Sequence, residues 1–428
     1  MQEISNILRP TITQSMGIGG NIKQIPEDFI VSEIIENHQI LDPRCNEFDL
    51  PGKPGLFLHF VLIKKDIDTA AALDWISKLW NIPRDNISVA GSKDKRALTA
   101  QRVSIWGAKE PFEEGTIEEL NLPTFTTKSL SFRLREIRLG NLWGNAFDIT
   151  VRNIPHSCDE IRETIDSVIT EISNYGGVLN SFGIQRFGKI RPITHLVGKE
   201  LLKGDIKEAI RLYIGKVFEE EPIKTREARK VFWESEDIKK SLDLFPSYLS
   251  IERKLLVNLL KRKKDYKQVF LSLPLQFQKI FIHAFQSYLF NKYLKIRYEE
   301  YSKTLDKPIS GEKLIEGIIH APIVGFRSEL FGDVEEIYNK LFENEKIRIE
   351  DFRNNFINKI GGKGTFRSIT FMPNNFNIKE VINDELNENR KKARFSFEIQ
   401  KGSYATELLR ELMKADSFSY TKEGLDKV

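Results

Sequence analysis

Only two cysteines, Cys45 and Cys158, occur in 428 residues. That is too few for a disulfide framework, so the fold has to rest on buried apolar surface, and a reducing compartment is expected. The six histidines, at 38, 59, 156, 195, 283 and 320, form no close pair and no Cys/His spacing of the zinc-ligand kind, which disfavours a metal centre. Long hydrophobic runs are also missing. No stretch approaches the roughly 20 apolar residues needed to cross a bilayer, and Met1-Gln2-Glu3-Ile4 has neither the basic start nor the apolar run of a secretory signal. A soluble, cytoplasmic protein with no membrane partner is expected. Neither charge sign dominates: 65 Lys plus Arg face 61 Asp plus Glu, a net of +4. Any binding of nucleic acid must therefore come from local concentration of charge rather than from the sum.

What is present is an ordinary folding composition, 40% hydrophobic and 11% aromatic, on a chain long enough for two or three cores. The first glycine cluster, Gly17-Ile18-Gly19-Gly20, precedes a strand instead of following one, so it is no dinucleotide fingerprint. A strand is expected after Pro26, through Phe29-Ile30-Val31-Ser32-Glu33, with a functional or solvated carboxylate at its polar end. A second strand is expected over residues 55–63. Asp68 then caps a helix with Ala71/Ala72, Trp75, Ile76 and Leu79 at helical spacing, and Pro83 ends it. Leu130, Phe132 and Leu134, and then Phe147, Ile149 and Val151, alternate as half-buried strands. Ile161, Ile165, Val168, Ile169 and Ile172 make an amphipathic helix that stops near Gly176-Gly177. From about residue 183 the pattern turns helical and lysine-rich, and alternation returns at Arg394–Ile399 before a final helix over 404–414. The reading is an α+β protein with an inserted domain: a core of 1–182 and 368–428 interrupted by 183–367.

The richest chemistry lies in Gly91-Ser92-Lys93-Asp94-Lys95-Arg96-Ala97-Leu98-Thr99-Ala100-Gln101. It sets one carboxylate among cations and hands over to an apolar strand. In its ordinary structural role such an aspartate accepts local backbone hydrogen bonds. In a chemical role Lys93, Lys95 and Arg96 would lower its pKa or anchor a phosphate while Thr99 and Gln101 donate hydrogen bonds. Asp94 would then serve as nucleophile or base without a metal. Which cation faces it stays open. The order required of a Walker A loop is absent. Ser92 has no evident histidine partner, and His195 reads as a satisfied surface or interdomain residue.

The run at 91–101 resembles the catalytic motif of the TruD family of pseudouridine synthases. The likeness continues in Gly19-Gly20-Asn21-Ile22-Lys23, Pro26-Glu27-Asp28-Phe29-Ile30-Val31-Ser32-Glu33, Gly144-Asn145-Ala146-Phe147, Asn180-Ser181-Phe182-Gly183-Ile184-Gln185-Arg186-Phe187-Gly188 and Lys401-Gly402-Ser403-Tyr404-Ala405-Thr406, in family order across both ends of the chain. The resemblance implies a mixed-sheet pseudouridine-synthase core carrying an α/β TRUD insertion. It also implies isomerisation of a uridine in tRNA, at position 13, with no cofactor and no obligatory protein partner. On it Asp94 matches the catalytic aspartate, with attack at ribose or base left open, and Phe147 stacks on the extruded uracil beside Asn145. Lys23, Phe29 and Glu33 fall in the family's N-terminal block. Lys23 would meet phosphate or hold Asp94, Phe29 would pack beside the pocket, and Glu33 would orient a cation.

For RNA, Arg186, Lys189 and Arg191 are candidates to track phosphates, with Phe187 as packing, and Lys261-Arg262-Lys263-Lys264 offers a second basic patch. Lys401 and Tyr404 are candidates to reach the cleft. The aromatics of 283–291 first explain a buried helix. Ser92 and Ser181 depart from the residues usual at their positions, which bears on packing and substrate fit more than on reaction class. Two other readings compete: a noncatalytic protein that binds or folds structured RNA, and a hydrolase or phosphate-binding enzyme built on Asp94.

Overall fold

The computed structural model describes residues 11–107, 117–188, 190–262, 264–301, 305–353 and 362–414. They divide into two compact units. One comprises Thr11–Val178 and the segment from Phe371 onward; the other, Leu179–Thr370, is inserted between them in sequence.

The first segment runs β1 (Asn21–Ile22), β2 (Phe29–Ile34), β3 (Phe57–Lys65), α1 (Thr69–Leu79), β4 (Ile87–Val89), β5 (Leu98–Trp106), β6 (Phe125–Arg133), β7 (Gly144–Ile154) and α2 (Cys158–Asn174). The inserted unit holds helices α3 (Thr194–Leu202), α4 (Ile206–Gly215), α5 (Ile223–Ser235), α6 (Ile238–Leu244), α7 (Ser250–Lys261), α8 (Tyr266–Leu271), α9 (Leu275–Ile296) and α10 (Gly332–Glu345). Its antiparallel sheet is β8 (Lys313–Ile315), β9 (Ile318–Ile323) and β10 (Thr365–Ser368). The chain returns to the first unit with β11 (Asn374–Asn383), β12 (Lys391–Gln400) and α11 (Ala405–Met413). The architecture is α+β.

The large sheet runs β11-β12-β7-β2-β5-β3-β6, with β1 added to β7 and β4 to β5. All its pairs are antiparallel except β2 with β5, where Val31 faces Thr99 in a parallel register. Helices cover one face of it. Phe29, Val31, Phe147, Ile149 and Phe397 pack with Ile161, Ile165, Val168 and Ile172 of α2 and with Leu408 and Leu412 of α11. Leu58, Phe60, Leu62, Val103 and Ile105 pack under Ala72, Leu73 and Ile76 of α1. Asp68 caps α1 by accepting from Ala70 N at 2.8 Å. The buried stripe of α1 is not the expected one, however: Trp75 and Leu79 are exposed. The contact instead follows Ala72, Leu73 and Ile76 at i, i+1 and i+4. Leu134, past the end of β6, is also exposed. On α2 the N-terminus forms a capping box between Ser157 and Glu160, and Gly176 and Gly177, both at positive φ, end the helix.

Within the inserted unit α9 packs along α3. A Cβ at Gly198 would lie 2.1 Å from Phe281 O, so the two helices cross at a distance only glycine allows. His195, expected at a surface or border, is instead buried in α3. It stacks on Tyr288 at 4.9 Å, and burial among lysines pushes its pKa down to about 3. Among the described residues no helix is long and apolar enough to cross a membrane.

Candidate active site

The loop between β4 and β5 carries Asp94, and buried groups hold it from several sides. Lys23 Nζ donates to Asp94 Oδ1 at 2.8 Å, with the lysine side chain 4% and the aspartate 31% exposed. The carboxylate is thus anchored on its inner side and open on the other. Lys64 Nζ donates to the main-chain oxygen of Asp94 at 2.5 Å and to Ile67 O at 3.0 Å. Thr69 Oγ1 accepts from Lys93 N at 3.1 Å, and Gln101 Nε2 donates to Gly91 O at 3.0 Å. Arg96 reaches Gln24 O at 3.0 Å. The loop is therefore fixed on both sides of the carboxylate, which lowers the cost of orienting it for reaction.

Lys23 gets there through its backbone. It follows Gly20, where φ is +86° and a Cβ would meet Arg152 O at 2.6 Å, and it is itself left-handed at φ 60°. That conformation costs a non-glycine residue about 1–2 kcal/mol. It places the ammonium 3.8 Å above the Phe29 ring and against Asp94. Phe29 meets Phe147 edge to face at 6.0 Å, and Phe147 stacks on Phe397 at 5.3 Å. The register explains the file of rings: β7 lies between β2 and β12, pairing Phe147 with Val31 on one side and Phe397 on the other.

Glu33 has the same origin. Its cross-strand partner is Asn145, and its side chain is fully buried against Lys93, with Oε2 and Nζ 3.1 Å apart. Glu33 Oε1 also accepts from Arg102 N at 3.2 Å. The carboxylate is neither solvated nor at a free polar end. Asn145 Oδ1 is buried without a hydrogen-bond partner among the described residues.

Several expectations change. The cations that hold Asp94 are Lys23 and Lys64, not its sequence neighbours: Lys93 turns to Glu33, Arg96 to Gln24, and Lys95 is exposed. Thr99 Oγ1, expected as a donor, is buried with no partner among the described residues. Lys401 donates to Gly140 O at 2.9 Å. In the inserted unit Arg186 donates to Ser287 Oγ at 3.1 Å and lies over the Phe182 ring. Arg191 is not available for phosphates. It is largely covered, at 13% exposure, beside Glu221 and Glu252, which also pair with Arg229, and donates to Tyr213 O at 2.8 Å. Lys189 and Lys263 lie outside the described residues, and Lys261, Arg262 and Lys264 are exposed.

Comparisons with known proteins identify the family. The profile of the family described as tRNA pseudouridine synthase D (TruD) matches residues 8–318 and 313–412. The chain belongs to the TruD family. A relative from Methanosarcina barkeri, named "Probable tRNA pseudouridine synthase D", is 35% identical over 437 residues, covering 94% of this chain and 95% of its own. One of the same name from Thermococcus gammatolerans is 34% identical over 439 residues, covering 94% and 97%. A crystal structure of the Methanosarcina mazei protein assigned as TruD superposes with a TM-score of 0.77 at 34% identity, covering 96% of this chain and 98% of that one.

Lys64 and Phe397 are the parts of this candidate site that no motif announced. Lys64 did leave a trace: it continues the apolar face Leu58, Phe60, Leu62 of β3, where a lysine is out of place. Burial, opposed by Asp94 and Asp68, pushes its pKa down to about 8. In the unfolded chain a lysine keeps its proton up to about 10.4, so between those values the unfolded state binds more protons and Lys64 makes stability rise with pH. The difference in unfolding free energy between the wild type and Lys64→Met should therefore grow from about pH 8 to about pH 10 in urea titrations. A flat or falling difference would contradict this placement of Lys64.

Proposed function

We propose that the chain converts uridine 13 of tRNA to pseudouridine with Asp94 as nucleophile. The reaction breaks the N1–C1′ bond, turns the uracil and forms C5–C1′. The C5 proton leaves and N1 gains one, so atoms and charge balance without redox carrier or nucleotide energy source. What supports the reading is the Asp94 carboxylate itself, held by the buried Lys23 on one side and open on the other. Its neighbours supply the rest. Phe147 is the stacking surface for the extruded base, and the partnerless Asn145 Oδ1 accepts from a uracil N–H. Lys23, Phe29 and Glu33, each almost wholly buried, act as positioning residues: Lys23 on Asp94, Phe29 on Lys23 and Phe147, Glu33 on Lys93. Arg186 contacts the tRNA backbone. The inserted unit is the TRUD domain, and the enzyme works in the cytoplasm.

Site-resolved pseudouridine mapping after incubation with an unmodified tRNA pool tests reaction and target together. New pseudouridine confined to position 13 is expected. Modification elsewhere would overturn the target, and tight binding without modification would leave an RNA-binding protein. Phe147→Leu keeps an apolar side chain in the core but removes the ring. It should lower kcat/KM by about 10- to 100-fold, the equivalent of about 1–3 kcal/mol of base stacking. Unchanged kinetics would remove Phe147 from the pocket.

A further inference from the structure

The sheet carries a basic cavity on the face opposite Asp94. Along β3, Lys64 shares its face with the residues packed under α1, so His59, five positions away, stands on the other. Along β5, Gln101 reaches back to the Asp94 loop, so Arg102 also points away from it. A cavity of about 520 Å³ opens there, lined by Lys53, His59, Arg102, Arg133 and Arg135.

Two of these side chains are buried with unmet polar atoms. His59 is 4% exposed, and its Nε2 lies 2.7 Å from Arg135 O. A carbonyl only accepts, so Nε2 carries the hydrogen. Burial, reinforced by Arg102 and Arg133 against Glu36, holds the His59 pKa down to about 4, so the ring is neutral and Nδ1 is a bare acceptor. Among the described residues that Nδ1 has no hydrogen-bond partner, and neither has Arg102 Nε. The charges are also out of balance. Glu36 is engaged by Arg102 at 2.6 Å, and Glu136 by Ser88 and Arg138. Among the described residues Arg133 donates only to the carbonyls of Leu50 and Phe132, and Lys53 and Arg135 make no ion pair.

We propose that this cavity binds a ribonucleotide unit, with its phosphate against Lys53, Arg133 and Arg135 and its 2′-hydroxyl donating to His59 Nδ1. A bare anion would leave the histidine acceptor unmet, and a cation would be repelled. A phosphate beside a hydroxyl donor satisfies both. The volume falls within the usual range of small-ligand cavities, about 300–1,000 Å³, and a 2′-hydroxyl contact distinguishes RNA from DNA. The assignment is independent of the role of Asp94.

The test follows the histidine ¹⁵N resonances of the full chain, with that of His59 identified by its loss in His59→Phe. The probes are an adenosine tetraribonucleotide, which has no uridine for the Asp94 site, its deoxy counterpart, AMP and inorganic phosphate. The tetraribonucleotide should shift His59 Nδ1. The deoxy probe, and the ribo probe on a Lys53→Glu/Arg135→Glu variant whose two changes lie at exposed positions, should each bind about tenfold more weakly. AMP binding as well as the tetramer would assign the site to a free nucleotide, and tighter binding of the tetramer to an RNA strand. No shift with either ribonucleotide, an equal shift with the deoxy probe or with phosphate alone, or no loss in the double variant would overturn the proposal.

Discussion

Asp94→Asn should abolish pseudouridine formation, with the single-turnover rate falling by about 10⁴-fold or more, as for loss of a nucleophile that acts as part of a unit. The substitution changes little else. Asparagine has almost the same volume, its Oδ1 can still accept from Lys23 as the carboxylate does at 2.8 Å, and the main-chain oxygen that accepts from Lys64 is untouched. The loop should therefore hold its shape. Because phosphate contacts dominate tRNA affinity, binding should change by no more than about threefold. A variant that neither folds nor binds would assign Asp94 a structural role. One that still modifies tRNA at the wild-type rate would remove it from the chemistry.

The largest loss of stability should come from Glu33→Gln. Glu33 and Lys93 are buried at 0% and 5% exposure with their charges 3.1 Å apart. Removing one charge strands the other in a low-dielectric interior, at a cost of about 3–5 kcal/mol. Restoring neutrality should recover part of it: the double variant Glu33→Leu/Lys93→Met is expected within about 1–3 kcal/mol of the wild type, because an apolar pair of similar volume avoids desolvation while Arg102 N loses Glu33 Oε1 as its acceptor. It should nonetheless be impaired in activity, since Lys93 adjoins Asp94 in the loop. Urea unfolding of the wild type and the two variants measures this. A Glu33→Gln cost below about 1 kcal/mol would mean that water or relaxation compensates Lys93.

Periodicity and local chemistry made much of this molecule readable in the sequence. Phe147, Ile149 and Val151 alternate in the sequence and lie buried along β7, and the cap at Asp68 and the glycine stop after α2 stand where turn and cap chemistry put them. What the sequence hid was decided by partners far along the chain. The hold of Lys23 on Asp94, across 71 residues, was offered only by the family resemblance, and the charges adjacent in sequence point elsewhere because successive loop residues turn to different neighbours. Arg191 looked like a phosphate contact because the two glutamates that cover it lie in α7 and just before α5. Phe397 joins the ring file through the pairing of β12 with β7, a register no local pattern states.

The isomerisation cannot occur without loss of the hydrogen on C5. The most direct test is therefore release of tritium from tRNA carrying [5-³H]uridine, under single turnover with enzyme in excess. Wild-type protein should release the label from one uridine per tRNA, and Asp94→Asn should release none while still binding the RNA. Release by Asp94→Asn at the wild-type rate, or none by the wild type on tRNA that it binds, would contradict the account.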